Sequence, residues 1–440
     1  MSAQMHLALL ISATGNHQGA WRQAGSNLGR VNEPAFFVDL VRKAEAACID
    51  AVFFADVPYT NAQALAANPV TNSFEPLVFS AYLAAVTRHI GLVSSVSTSF
   101  TEPFNVARHF AGIDALSGGR AGWNIVTSAL GERNYGAAPL PDQDTRYARA
   151  AEYLEVAKRL WDGWDAEIIA ADRARGLYAR PEGVRPADFH GRFFDVEGPM
   201  TNQRPPQGWP VLFQAGASGT GRDFAARYAE GVFTSGQTLA ESLAFTRDLK
   251  ARAAGFGRDP QGIKVLNGIT PLIAETADAA AAKARELAGF INIPAAIKRL
   301  NTYAEGVDLT HLDPDRPIPK DFLPPVASVQ GRQSRYAIFH KLATEEGWTL
   351  RQLAELTGRS DGHWVVIGAP EQVADQMEER FRAGAGEGYV VMPTDHPESS
   401  DLFLRQVVPI LQARGLFRDS YPGKTLRETM GLAKPPRHLW

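Results

Sequence analysis

The twelve residues Ser117–Ser128, SGGRAGWNIVTS, join a glycine-rich turn to a strand-like run that carries the polar side chains Asn124, Thr127 and Ser128. Gly118, Gly119 and Gly122 allow positive φ and close backbone approach, and Trp123, Asn124, Thr127 and Ser128 add an aromatic wall and neutral hydrogen-bonding groups, as a cofactor pocket needs. Taken alone, the same residues also fit a tight turn before an ordinary buried strand. A second glycine-rich stretch, GASGTG from Gly216, runs into a helix starting near Arg222. Free amides around Ala217 and Ser218 at that terminus suit a monoester phosphate, and Arg222 would add charge. The stretch is not a dinucleotide fingerprint, because Glu241 alone does not supply the acidic residue and spacing required. Nor is it a hydrolase elbow, since Thr220 stands where the second glycine belongs.

Five further residues offer chemistry. Asp56 closes the hydrophobic run FFAD, where a carboxylate needs either a partner or access to solvent. Ser95, Ser97 and Thr98 present uncharged hydroxyls at the end of another strand, for a ligand or for local backbone groups. His17, in ATGNHQGAWR, follows the first strand directly; a lone histidine there serves structure as readily as catalysis. No H-E-x-x-H or Cys/His pairing predicts a metal site.

These residues need a frame that gathers strand ends. Strand-like runs at 7–12, 51–55, 90–97, 121–127, 211–215, 231–235, 263–274 and 388–393 alternate with helical spacing, which implies a parallel sheet. Eight such units match an α/β fold, a (β/α)8 TIM barrel whose ligands bind at the C-terminal ends of the strands; a doubly wound sheet fits the pattern too. Residues 1–440 are expected to form one barrel domain. Two excursions, about 170–208 and 292–362, break the rhythm with Arg, Pro and Gly and are expected to lie over the C-terminal mouth, as binding loops or as oligomer contacts.

Composition narrows the classes. The 440 residues are 45% hydrophobic and 21% charged, with 45 Lys and Arg against 48 Asp and Glu and a net charge of -3, so nucleic acid and anionic membranes are not expected partners. One cysteine, Cys48, excludes an intrachain disulfide and fits a reducing compartment. Neither a secretory leader pattern nor a membrane-length apolar run is present, so a cytoplasmic protein is expected.

The words around the opening segment carry a likeness. Together with FFAD (53–56), PFNVARHFAGIDAL (103–116), GERNYG (131–136), DTRYARAAEYLEVAKRLWDGW (144–164), QAGASGTGRDFAARYAEGVF (214–233) and GAPEQVADQ (368–376), the chain resembles the bacterial luciferase-like flavin-dependent monooxygenases, in the nitrilotriacetate and dibenzothiophene-sulfone monooxygenase branch. The resemblance implies a barrel that takes reduced FMN and O2, forms a flavin hydroperoxide and transfers one oxygen atom to a small organic substrate. It implies a separate NAD(P)H:FMN reductase and a homodimer or homotetramer. It places Asp56, Ser95, Asn124, Ala217 and Ser218 at the flavin, Tyr147 on its phosphate, and His17 against substrate or the oxygenated flavin. Gln143 stands where the family usually has histidine, so the phosphate contact there must be weaker or rebuilt. A deazaflavin-dependent oxidoreductase on the same barrel and a non-catalytic FMN-binding protein are the alternatives. For a polyanionic substrate Arg180, Arg185, Arg192, Arg332 and Arg335 are available, without a basis for choosing among them.

Overall fold

The structure is a computed structural model that describes residues 4–136, 139–165 and 167–437. The strands of its main sheet are β1 His6–Leu10, β2 Ala51–Phe54, β3 Gly91–Ser97, β4 Ala121–Val126, β5 Val211–Gln214, β6 Gly231–Thr234, β7 Lys264–Ile273, β8 Trp364–Gly368 and β9 Gly388–Val391. Eight of them form a closed parallel ring: β1 to β7 pair in sequence, β7 pairs with β9, and β9 pairs with β1. Every expected strand is present within two residues at each end. β8 was not expected. It pairs with Ile269–Ile273 of β7, beyond Asn267, where β6 has ended.

Strand alternation sets the core. Phe53, Val93, Val211, Phe213, Leu266 and Val390 share one cluster inside the ring, whereas Leu212, Trp123 and Ile125 pack outward with helical side chains. The helices used below are α1 Pro34–Ala46, α2 Pro76–Val86, α3 Pro103–Ser117, α4 Gln143–Asp162 and α5 Gly219–Tyr228. The first three begin with proline, which loses no intrahelical bond at that position. α3 stops at Gly118, whose φ of 71° lets the amide of Gly119 reach back to the Asp114 carbonyl.

That stop corrects two expectations about the opening segment. The Gly118–Gly119 turn precedes β4 and sits at the N-terminal end of the barrel; at about 3.3 Å per residue, eight residues separate it from the mouth at Thr127. Trp123 is no pocket wall either: it is fully buried, facing Phe110, Tyr153 and Trp161 behind the sheet.

A plug closes the N-terminal end. Leu426, Met430 and Leu432 join the interior cluster, and Leu426 fills the space beside Gly91, where a methyl would lie 2.5 Å from its Cδ1, and shares with Val93 the space beside Gly122. The adjoining Arg427 is buried, donating to Glu230 Oε1 at 2.5 Å and Oε2 at 3.0 Å.

The two excursions go to opposite ends. Residues 170–208 leave α4 at its C-terminus and return to the start of β5, so they lie at the N-terminal end and along α4. There Glu152 accepts the amides of Arg192, Phe193 and Phe194 at 3.1, 2.7 and 2.7 Å. The expectation that this segment covers the mouth is corrected by that connectivity. Residues 292–362 do reach the mouth. They hold α6 Ile293–Tyr303, α7 Gln333–Thr344 and α8 Leu350–Ser360 around their own apolar cluster, including Leu300, Tyr303, Phe339 and Leu353, with the proline-rich run between α6 and α7 irregular as expected.

Candidate active site

A cavity of about 280 Å³ opens where the C-terminal ends of β2, β4 and β5 meet α4 and the second excursion. That is near the lower bound for small-molecule sites. Its wall includes Asp56 after β2, Thr127 and Ser128 after β4, Gln143, Arg146 and Tyr147 on α4, and Gly216, Ala217 and Ser218 before α5. Residues 331–335 and Asp361 form the roof.

The cradle begins at the α5 terminus. Ser218 caps the helix, its Oγ accepting the Gly221 amide at 3.1 Å, which leaves the earlier amides of the first turn without intrahelical acceptors. Gln143 Nε2 lies 3.4 Å from Ser218 Oγ, and the Tyr147 hydroxyl takes a hydrogen bond from Gln214 Nε2 at 3.3 Å. Burial pushes the Tyr147 phenol above its ordinary pKa, against hydrogen bonds with Thr127, Gln214 and Ser218, so the group stays a proton-bearing donor. Gly216 keeps the cradle open. A methyl there would lie 2.5 Å from the Tyr147 hydroxyl and overlap the Gln214 amide. Amides, a phenol, a hydroxyl and a carboxamide converging on a glycine-lined hollow fit a monoester phosphate.

Deeper in the ring, Asn124 Nδ2 donates to Ser95 Oγ at 2.8 Å, while Asn124 Oδ1 is buried with no partner. A buried acceptor left unpaired is costly. An N–H-bearing ring lying across the strand ends would satisfy it, so the donor set fits a flavin above and its phosphate at the cradle. Asp56 is held above the usual carboxylate range by burial, then by Glu75, with the Val57 amide opposing.

Five of the expected cofactor residues, Asp56, Gln143, Tyr147, Ala217 and Ser218, thus share one wall; Ser95 and Asn124 form a bonded pair immediately below it. Arg222, expected to add charge, turns away: Nε donates to the Ala217 carbonyl at 3.0 Å and Nη1 to Asp248 at 2.7 Å. His17 is buried outside the cavity wall, its Nδ1 accepting the Gly19 amide at 3.0 Å. Burial, then the nearby Arg359, hold its pKa at about 4, so the ring is neutral. Sequence reasoning missed Arg146 and Asp361. The signal for Arg146 was its place one residue before Tyr147 on the same helix start; Asp361 left none, because it reaches the mouth only through the folded excursion.

The fold and site define a class: a closed parallel barrel with a polar, glycine-lined cavity at the C-terminal ends of its strands. Residues 10–387 match the family described as luciferase-like monooxygenases, and the chain belongs to that family. It is a flavin-dependent monooxygenase. It is 38% identical over 435 residues to N-acetyl-S-(2-succino)cysteine monooxygenase of Bacillus subtilis (strain 168), covering 98% of this chain and 97% of the relative. It is 39% identical over 444 residues to nitrilotriacetate monooxygenase component A of Aminobacter aminovorans, covering 98% and 97%. The solved structure of EDTA monooxygenase from Chelativorans sp. BNC1 superposes with a TM-score of 0.82 at 30% identity, over 99% of this chain and all of that one.

Proposed function

We propose that this protein is the oxygenase component of a two-component system, taking reduced FMN from a separate NAD(P)H:FMN reductase and using O2 to place one oxygen atom on a small organic substrate. The observation that carries the FMN reading is the cradle formed by Tyr147, Gln143, Ser218, Gly216 and the free amides at the start of α5. When bound there, reduced FMN supplies the two electrons that activate O2, one atom going to substrate and the other to water. The chain supplies position and dryness. Tyr147, Ser218 and Gln143 would hold the phosphate, and the Ser95–Asn124 pair would fix the ring by hydrogen bonding. Asp56 would border the ring, and the roof from the second excursion would exclude water. A relative named component A of its monooxygenase supports the division of labour, and the assembly is a cytoplasmic homo-oligomer.

The test supplies reduced FMN from an unrelated reductase and follows oxygen-dependent product from sulfones, amines, alkanes and carboxylates. Product that requires both O2 and reduced FMN is expected, and NADH should not be consumed by the protein with FMN alone. Brisk NADH oxidation without the reductase would refute the two-component reading; turnover independent of O2 would refute oxygenation.

A further inference from the structure

The cavity roof carries charge that the cradle does not use. Arg332 and Arg335 both line it, from the start of α7. Arg335 Nη2 donates to His363 Nε2 at 2.8 Å, while its Nη1 is buried with no partner. Arg332 lays its guanidinium over the Tyr303 ring, 5.6 Å from the centroid. Neither arginine is within ion-pair distance of a carboxylate among the described residues. The nearest acid on the roof, Asp361, is hydrogen-bonded elsewhere: Arg299 donates to its two oxygens at 3.1 and 3.0 Å, and the Tyr303 hydroxyl bonds the first of them. Its single charge is felt by Arg335 and Arg332 through space, so one carboxylate stands against three guanidiniums.

The histidine beneath removes the other route to neutrality. His363 lies flat on Phe233, ring centroids 5.0 Å apart and planes 8° from parallel, and burial followed by Arg335 holds its pKa well below the ordinary value. With Nε2 accepting from Arg335, the neutral ring carries its proton on Nδ1, which is also buried without a partner and faces Gly268 of β7. A guanidinium does not shed its proton, so the roof holds permanent positive charge and unmet N–H groups. Phe233 belongs to β6 and Gly268 to β7, further round the ring than the cradle on β5 and α4.

We propose that Arg332 and Arg335 form an anion subsite that grips a carboxylate of the substrate, separate from the cradle that holds the flavin phosphate. This rests on the oxygenase reading for the word substrate; the anion subsite itself does not. Of the five arginines that the sequence offered for a polyanionic substrate, these two line the cavity and Arg180, Arg185 and Arg192 do not. Planar guanidinium donors match carboxylate geometry. The substrate class is therefore a small carboxylic acid whose reacting centre lies between this grip and the flavin.

The experiment is calorimetric titration of the flavin-free protein with succinate and tricarballylate and with their methyl esters, alongside separate titrations with FMN and riboflavin. For the wild type, at least one acid should bind at least tenfold more tightly than its ester. Arg335→Met should abolish that difference, and Arg335→Lys, which keeps the charge and the fold but loses the fork, should retain part of it. FMN and riboflavin affinities should each change less than threefold in both variants. If neither acid outbinds its ester, or if Arg335→Lys and Arg335→Met leave the preference intact, the proposal is overturned. A tenfold loss for FMN but not riboflavin would instead assign the arginines to the cofactor phosphate and overturn it equally. Failure of the wild type to bind FMN would defeat the oxygenase reading alone, because the acid and ester titrations contain no flavin.

Discussion

Replacing Tyr147 by phenylalanine isolates one contact of the cradle. The ring is buried against Phe224, with centroids 5.4 Å apart, and that packing survives the change. What disappears is one hydroxyl, hydrogen-bonded to Gln214 at 3.3 Å and standing beside Gly216 and Gly221. A hydrogen bond to a charged group contributes about 1.5–3 kcal/mol. At about 1.4 kcal/mol per factor of ten, the FMN dissociation constant should rise roughly ten- to hundredfold. Riboflavin has the same ring system and no phosphate, so its affinity should move by less than a factor of about two. Quenching of flavin fluorescence on titration measures both, and the melting temperature checks that the fold is intact. Equal losses for the two flavins would place the hydroxyl on the ring rather than the phosphate; an unchanged FMN affinity would remove Tyr147 from the cradle.

Gly216→Ala puts a methyl 2.5 Å from the Tyr147 hydroxyl, and FMN affinity should fall at least about tenfold, read by the same titration; an unaffected value would mean the hollow holds no phosphate. Leu426→Ala opens the plug beneath Gly91 and Gly122, and a fully buried leucine removed in this way costs about 2–5 kcal/mol, measured as a lower denaturant midpoint; a loss below about 1 kcal/mol would show that the barrel end closes without it. Burial holds both His17 and His396 at a pKa of about 4 against an ordinary 6.5. The unfolded chain therefore takes up protons that the folded chain refuses, and stability, complete above pH 6.5, falls as pH drops toward 4. At pH 5 each imidazole should cost about 2 kcal/mol relative to pH 7, and His396→Gln should flatten the difference between the two denaturation midpoints by that amount.

The barrel was legible in the chain because each strand is a short apolar run of buried residues bounded by turns, and eight of them alternating with helices leave few topologies. The wall of the site was legible at Asp56, Tyr147 and Ser218 because each occupies the end of a strand or the start of a helix, where connectivity alone fixes the mouth. Local pattern misled where direction mattered. Gly118 and Trp123 belong to the same dozen residues as Asn124, yet one lies at the opposite end of β4 and the other on its outer face. Arg222 likewise sits at the cradle's helix but is turned outward by Asp248. The destinations of the excursions were hidden for a simpler reason: composition marks an interruption, whereas its position between a helix and a strand or beyond a strand decides which end it covers. β8 escaped because it extends β7 past the ring instead of entering it.

Gln143 shows how these levels combine. As a neutral carboxamide, Gln143 would leave the proposed phosphate site short of positive charge if the cradle depended on that residue alone. The fold places Arg146 on the same wall, less than one turn along α4, with Nη1 donating to the Pro141 carbonyl at 2.6 Å and Nη2 to Gln330 at 2.6 Å, while its Nε is buried without a partner. The Gln143 amide itself donates to Gln330 Oε1 at 3.3 Å, so the segment entering the roof is tied to the cradle's helix at two points. A permanent cation held rigidly beside the hollow supplies the field that a titratable histidine would provide only when protonated. On the proposed reading, Arg146 supplies beside Tyr147 the positive charge that Gln143 does not carry, and it is held there by Pro141 and by Gln330 of the second excursion.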